Sequence, residues 1–419
     1  MRKLLSLALA LVMCLGLLPT TALAADYTEV VPCKYNLVGD FSEGLAAVAV
    51  EVQDGISVYN YRWGFIDKTG KEVIPCQYLY SYSQVSTAEN PHFSEGLAAV
   101  IINDGTEYKV ANYIGKYCFI DKTGKEVIPA KYDTASNFSE GLAKVGVKSG
   151  EKYLPMIGMW YYFTCGYIDQ TGNEVIPLQY EDAKDFSEGL AAVRVGIDSS
   201  TWEWGFIDKT GKEVIPLRPY RSVSNFSEGL AAVQDQNLKW GFIDKTGNEV
   251  IPCQYTTAGD FSEGLAMVED QNSKYGFIDR TGKVVIPLQY NHPANFSEGL
   301  AMVSNQNDGY SFIDKAGKVV IPLIRTPAGD FSEGFAVMKG GWNHYGYIDK
   351  TGNEVVPRQY SDAGSVSEGM AAVAVADGGS SWNYFKWGFI SVGGTQPLVP
   401  TVGNFTDVKT GDYFAEPVK

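Results

Sequence analysis

The chain has 419 residues, 45 of them glycine and 18 proline, with 49 acidic against 34 basic side chains and a formal net charge of −15 at pH 7. A balance this acidic leaves no basic surplus to displace counterions from phosphates, which sets aside nucleic acid and anionic lipid surfaces as partners. The same charge favours solubility.

Residues 1–24 read as a secretory signal peptide. Arg2 and Lys3 supply its basic start, Leu4 to Leu18 its apolar run, and Ala22-Leu23-Ala24 the small-x-small cleavage pattern. The run is too short for a membrane span, so none is expected after cleavage. Cys14 lies mid-run behind Leu11-Val12-Met13, which lacks the small residue of a lipoprotein site, so the expected cut follows Ala24. Losing Arg2 and Lys3 takes the net charge from −15 to −17. Cys33, Cys76, Cys118, Cys165 and Cys253 remain, an odd number for an exported chain. Cys33, Cys76 and Cys253 share one repeat position directly after a Pro. A thiol there serves as a small apolar filler, and no pairing among the three is expected.

From residue 25 to residue 400 the chain is one array of repeats. Phe-Ser-Glu-Gly-Leu-Ala starts at Phe41, Phe93, Phe138, Phe186, Phe226, Phe261 and Phe296, with variants at Phe331 and Val366. A second element, (Trp/Tyr)-Gly-Phe-Ile-Asp-Lys-Thr-Gly, recurs nine times between Trp63 and Trp387, and Val-Ile-Pro-x-x-Tyr follows it. Each unit therefore predicts three short strands: Leu-Ala-Ala-Val, Trp-Gly-Phe-Ile-Asp and Glu-Val-Ile-Pro. The Gly closing Asp-Lys-Thr-Gly is expected at a left-handed position in a hairpin loop, and the Gly of Ser-Glu-Gly in a second turn. Pro, which has no donor, suits the end or the edge of the third strand. Along the second strand Trp63 and Phe65 point one way, Gly64 and Ile66 the other. Both faces carry apolar residues, so small sheets should stack face to face, and a single unit could not bury itself.

The run Lys239-Trp240-Gly241-Phe242-Ile243-Asp244-Lys245-Thr246-Gly247-Asn248-Glu249-Val250-Ile251-Pro252 resembles the WG-repeat family of bacterial proteins. The resemblance covers roughly residues 27 to 397 and implies an all-β repeat architecture and frequent export, without an agreed activity. Tyr117-Cys118, Cys165-Gly166 and Tyr310-Ser311 depart from Trp-Gly, which favours packing over chemistry for that pair.

The array starts out of phase. Val30 to Tyr35 is a third strand with nothing before it, and the last unit ends at Trp387 to Ile390 with only a degenerate third strand. Pairing the two would close the units into a propeller-like ring; an open β-solenoid with a shifted unit boundary is the alternative. Five long insertions all enter the loop between the first two strands of a unit, after Leu45, Leu97, Leu142, Leu190 and Met370. Ring closure would make them contiguous. They hold the candidate ligand-binding residues Tyr59, Tyr61, Tyr113, Trp160, Tyr161, Tyr162, Trp202, Trp382 and Tyr384, since rigid aromatics among polar neighbours make effective contact surfaces. The competing reading is that the insertions lengthen hairpins and pack on one another.

Little else carries chemistry. His92, His292 and His344 fall at unrelated repeat positions and form no ligand set, so no metal site is expected. The Glu of Ser-Glu-Gly recurs in every unit, with Asp three residues earlier at Asp40, Asp185, Asp260 and Asp330. Such pairs serve acid–base catalysis or hold Ca²⁺, but local turn chemistry is the expected role here. With neither a phosphate loop nor a nucleophile elbow, the sequence predicts no enzyme and no cofactor. In residues 401–419, Phe405-Thr406-Asp407-Val408 and Tyr413-Phe414-Ala415 resemble the start of an S-layer homology domain, truncated at Lys419. That resemblance implies a lost part that binds cell-wall polymer; a worn tenth Phe-Ser-Glu-Gly is the alternative. The expected function is an exported cell-surface binding or display module, with a glycan or a protein as ligand. The alternative is a structural spacer that binds nothing.

Overall fold

Each repeat folds into a small antiparallel sheet, and the sheets follow one another around a closed ring. The computed structural model describes residues 27–52, 61–79, 90–107, 114–154, 158–196, 202–305, 309–324, 326–327, 329–341, 344–377 and 385–393. Its strands fall into eight sheets, of which the seven-stranded one is two blades joined edge to edge through Leu79 and Ile101. Blades 1 to 9 then take residues 37–79, 97–132, 134–180, 182–218, 222–255, 257–290, 300–324, 326–360 and 362–392. Tyr27–Tyr35 runs antiparallel to Phe385–Val392 and completes blade 9 from outside, so the ring is closed and the open solenoid is ruled out.

Two expectations need correction. Most blades have four strands rather than three, because a further strand lies at the inner edge. In several blades it is only two residues long, as at Thr134–Ala135 and Ser222–Val223, too short to show a period-two pattern. Nor does the Pro end its strand. Pro75 lies inside Glu72–Leu79, at a bulge where the register slips between Trp63 and Phe65. The strand is the outermost of its blade, and the missing donor faces away from the ladder.

That bulge explains the Gly of Trp-Gly. A Cβ on Gly64 would sit 2.5 Å from the Ile74 carbonyl oxygen and 2.7 Å from the Pro75 carbonyl carbon. The backbone of the outer strand therefore passes directly over the glycine, and a side chain there must displace it.

The apolar residues lie between blades, not within them. Trp63 and Phe65 join the cluster facing blade 2, whereas Ile66 joins the cluster facing blade 9, as the alternation predicts. The Phe of the third strand meets the Phe of the next blade's Phe-Ser-Glu-Gly at an angle, from Phe277–Phe296 at 4.8 Å to Phe119–Phe138 at 5.1 Å. Such tilted pairs add about 0.5–1.5 kcal/mol to the area they bury.

The Ser-Glu-Gly turn couples neighbouring blades through hydrogen bonds. Ser pairs with Leu across a two-residue turn, and both central residues have positive φ: 52–55° for the nine glutamates and 77–89° for the glycines. A glutamate in that region is strained by about 1–2 kcal/mol. Its carboxylate, however, accepts the N–H of the next blade's Gly at 2.7–3.0 Å, from Glu43 to Gly96 round to Glu368 back to Gly44. The preceding Ser donates its hydroxyl to the backbone carbonyl before the next blade's Ser, as in Ser42 to Phe93 and, at closure, Ser367 to Phe41, both at 2.7 Å. The local turn role expected for these residues is therefore only part of their work.

A cation from the next blade's Asp-Lys-Thr-Gly turn completes most of the latches. Lys68 meets Glu368 and Lys122 meets Glu43, each at 3.0 Å. Within its own turn, Asp67 accepts the Thr69 hydroxyl at 2.6 Å and the N–H groups of Thr69 and Lys71 at 2.9 and 3.0 Å.

Replacing Glu228 with Asn separates turn preference from latching. Asn suits a left-handed position better but cannot span the blade boundary to Gly264 and Arg280. Glu228→Asn should lower the unfolding free energy by about 1–2 kcal/mol in denaturant titration; a more stable variant would show that the latch contributes nothing.

The same latches set an acid limit. Burial raises the carboxyls of Glu43, Glu140, Glu188, Glu228, Glu298 and Glu368, but the cation and the Gly N–H outweigh it and hold each below the ordinary value of 4.5. A carboxylate depressed by folding stabilises fully above its unfolded value and loses that contribution as pH falls through the folded one. The melting temperature should therefore hold above about pH 5 and fall steadily below about pH 4.5 in calorimetric scans; a rise on acidification would contradict the assignment.

Candidate functional site

Successive connections in an antiparallel meander alternate between two rims. The Ser-Glu-Gly and Asp-Lys-Thr-Gly turns share one rim, so the long insertions emerge on the other. In blade 3 the insertion is a continuation of the hairpin itself: Leu142–Leu154 and Gly158–Asp169 stay paired out to Leu154 and Gly158. In blade 5 the same two strands have five residues each. The extra length lifts the tip roughly 25 Å off the rim at about 3.4 Å per residue.

A cleft of about 1060 Å³ opens beside this hairpin. It runs from Ser94, Ser139 and Ser187 of the latch turns, past Asn137, Asp185 and Asn225 just after the inner strands, outward to Tyr161, Tyr162 and Trp202. Three of the sequence-derived candidates thus converge on one surface. Tyr162 is exposed, and Tyr161 and Trp202 are half-buried. Tyr61 differs: it pairs with Glu51 in the second and third strands of blade 1 and packs against the core shared with blade 2. Trp160 lies in the long hairpin opposite Lys152. Tyr61, Trp160, Tyr161 and Tyr162 are therefore strand residues, not loop residues as the insertions suggested. Tyr59, Tyr113, Trp382 and Tyr384 lie outside the described residues.

The aromatic rings are seated on cations. Lys148 Nζ sits 4.3 Å from the centre of the Tyr161 ring and 2.5 Å from Glu151. The Arg194 guanidinium lies 4.3 Å from the Trp202 ring and 5.5 Å from Trp204, with Asp182 at 3.6 Å. Cation–ring contacts of this kind contribute about 0.5–2 kcal/mol and hold the rings in place. Lys144, also in the cleft, donates to the Ala183 carbonyl at 3.0 Å. On the inner wall Ser136 donates to Asp185 at 2.5 Å, and the Asn137 amide lies 3.1 Å from the His92 ring.

Arg194 was not singled out from sequence, although a signal was available. At the residue after Leu-Ala-Ala-Val the units carry Ala49, Ile101, Gly146, Arg194, Gln234, Glu269, Ser304, Lys339 and Ala374. Arginine appears there once, and the neighbouring unit has lost its side chain at Gly146. Lys144 likewise replaces the Ala, Val or Met of other units. Departures from a repeat mark places where packing alone did not choose the residue.

No group of three or more His, Cys, Asp or Glu is placed to hold a metal ion among the described residues. Nor does the cleft offer an activated thiol. Burial pushes the Cys33, Cys76, Cys165 and Cys253 thiols up to about 11 and Cys118 up to about 12. Cys165, which lines the cleft, is therefore a filler.

A family model described as WG containing repeat matches residues 28–51, 63–80, 117–153, 166–196, 204–238, 240–275, 275–310, 310–339 and 345–377. No curated protein matches the sequence. Among solved structures, BamB from Moraxella catarrhalis aligns at 12% identity over 69% of this chain and 84% of that one, with a TM-score of 0.35. Apo AztD from Citrobacter koseri aligns at 12% identity over 76% of this chain and 92% of its own, with a TM-score of 0.37. Scores this low carry no argument, and the ring rests on its own strand pairing.

The cysteines give a direct check on this packing. All five described cysteines are free, so the folded protein at pH 8 should yield less than about one fast-reacting thiol to Ellman's reagent, and all five after denaturation. Rapid reaction of several thiols in the folded state, or a disulfide found by mass mapping, would refute the buried assignment.

Proposed function

The chain belongs to the WG-repeat family, and on that footing we propose that it is an exported binding module whose ring displays a ligand site on the rim opposite the glutamate latches. The single observation that carries this reading is the convergence of Tyr161, Tyr162 and Trp202 on one cleft. The repeat departures Lys144 and Arg194 gather in the same place. Export is supported by the basic start, apolar run and Ala22-Leu23-Ala24 pattern of residues 1–24. The likeness of Phe405 to Ala415 to the opening of an S-layer homology domain supports attachment to bacterial cell-wall polymer. Binding rather than catalysis is the reading, because the charged side chains Lys144, Asp182, Asp185 and Arg194 of the cleft are engaged by protein partners or aromatic rings. They are not arranged as a nucleophile and base.

The packing of Tyr61 against the blade core favours the spacer reading for blade 1, since a ring face turned to the core is not offered to a ligand. The two readings part at blades 3 and 4. Purified cell walls should sediment the protein, and the Tyr161→Ala, Tyr162→Ala, Trp202→Ala triple variant should lose about tenfold or more in affinity while remaining folded, with a single cooperative melt. Equal sedimentation of parent and variant would leave the spacer as the function.

A further inference from the structure

We propose that the corner of the cleft around Arg194 is a subsite for a neutral sugar, so that the ligand is an uncharged oligosaccharide. This rests on reading the cleft as the binding site, and adds the chemistry of what it takes.

The first argument is charge. The cleft lining includes Lys144 and Arg194 but also Glu181, Asp182 and Asp185. Both cations already face protein oxygen atoms, Lys144 the Ala183 carbonyl and Arg194 the Asp182 carboxylate. On a chain of net charge −15, an anionic ligand would meet an excess of carboxylates with little unspent positive charge. A cationic ligand fares no better against an arginine packed between two indoles.

The second argument is hydrogen bonding. Arg194 Nε and Trp204 Nε1 are buried donors with no acceptor among the described residues, and Asn225 Oδ1 is a buried acceptor with no donor. Arg194 and Asn225 line the cleft and Trp204 does not, so the cleft wall itself holds one such donor and one such acceptor. Buried polar groups of both kinds ask for a partner that both donates and accepts. A sugar hydroxyl does both, and neighbouring hydroxyls on a pyranose repeat the pattern. A carboxylate or phosphate only accepts.

The third argument is shape. Flat rings at the mouth, Trp202 half-buried and Tyr162 exposed, suit the apolar C–H face of a pyranose, which the rigid aromatics cover with little loss of freedom. A volume of about 1060 Å³ lies at the top of the range for small-ligand sites, which leaves room for several linked sugars.

The test is a glycan array probed with the full chain, carrying neutral oligosaccharides (cellohexaose, mannohexaose and chitohexaose among them) beside oligogalacturonate. Hits are then titrated by calorimetry. Neutral glycans should bind, oligogalacturonate should bind at least about tenfold more weakly, and Trp202→Ala and Arg194→Met should each weaken the best neutral hit by about tenfold or more. Should Arg194→Met prove unstable, Trp202→Ala decides, because its ring is half-exposed and its loss should leave the chain folded, with a single cooperative melt. Tighter binding of oligogalacturonate overturns the proposal. So does an array without neutral hits. If the cell-wall sedimentation nevertheless depends on the aromatic triple, the cleft stands as a binding site and only its sugar assignment falls. If sedimentation is indifferent too, both fall.

Discussion

A glutamate held in the left-handed region is strained, and nine of them recur around this ring. Asn-Gly or Asp-Gly would make the same two-residue turn with less strain, but the shorter side chain would stop short of the neighbouring blade. Glutamate reaches it, and the N–H it finds there belongs to the glycine of an identical turn. The strain is local while the stabilisation is shared across a boundary. Blade stability is therefore a property of interfaces, as in other repeat proteins, where nearest-neighbour terms dominate. The apolar clusters follow the same rule, since each draws its residues from two adjacent blades, as Phe65 with Phe93 or Phe206 with Phe226.

Interfaces built from one repeated plan reveal where the plan was broken. Between blades 8 and 9 the aromatic partner is Val366 instead of Phe, and Val392 stands where most units have a cation for the glutamate latch. Other contacts offset the loss. Tyr347 replaces Phe, and its hydroxyl donates to the Gly364 carbonyl at 2.7 Å. Glu333 gathers two backbone N–H groups, of Glu368 and Gly369, at 2.6 and 2.7 Å. The departures in blades 3 and 4 differ in kind, because Lys144 and Arg194 line a cleft without completing a latch.

Much of this architecture was readable in the sequence. The phase shift at Val30 to Tyr35 pointed to a closed ring, and the alternation of Trp63, Gly64, Phe65 and Ile66 placed apolar contacts on both faces. Other features left no trace that pattern alone could recover. A two-residue inner strand such as Thr134–Ala135 has no period. The positive φ of Glu43 runs against residue preference and makes sense only once Gly96 is known to lie beside it. Tyr61 and Tyr162 look equivalent as insertion aromatics, yet one packs into a core and the other faces solvent, because blade 3 extends its hairpin well past the point where blade 1 stops. The cleft needed the ring first, since its residues come from several units.

Completing blade 9 with Tyr27–Tyr35 has a consequence for how the protein comes into being. The strand that leaves the ribosome early has its partner at residues 385–392, nearly the whole chain later. Until that partner arrives, two open edges persist, each offering unpaired backbone to any passing strand. Folding thus ends on a long-range closure that must outrun association with a second copy. The eight latches other than Glu368 to Gly44 let intermediate arcs hold together meanwhile, so the molecule can wait, partly built, for its own beginning.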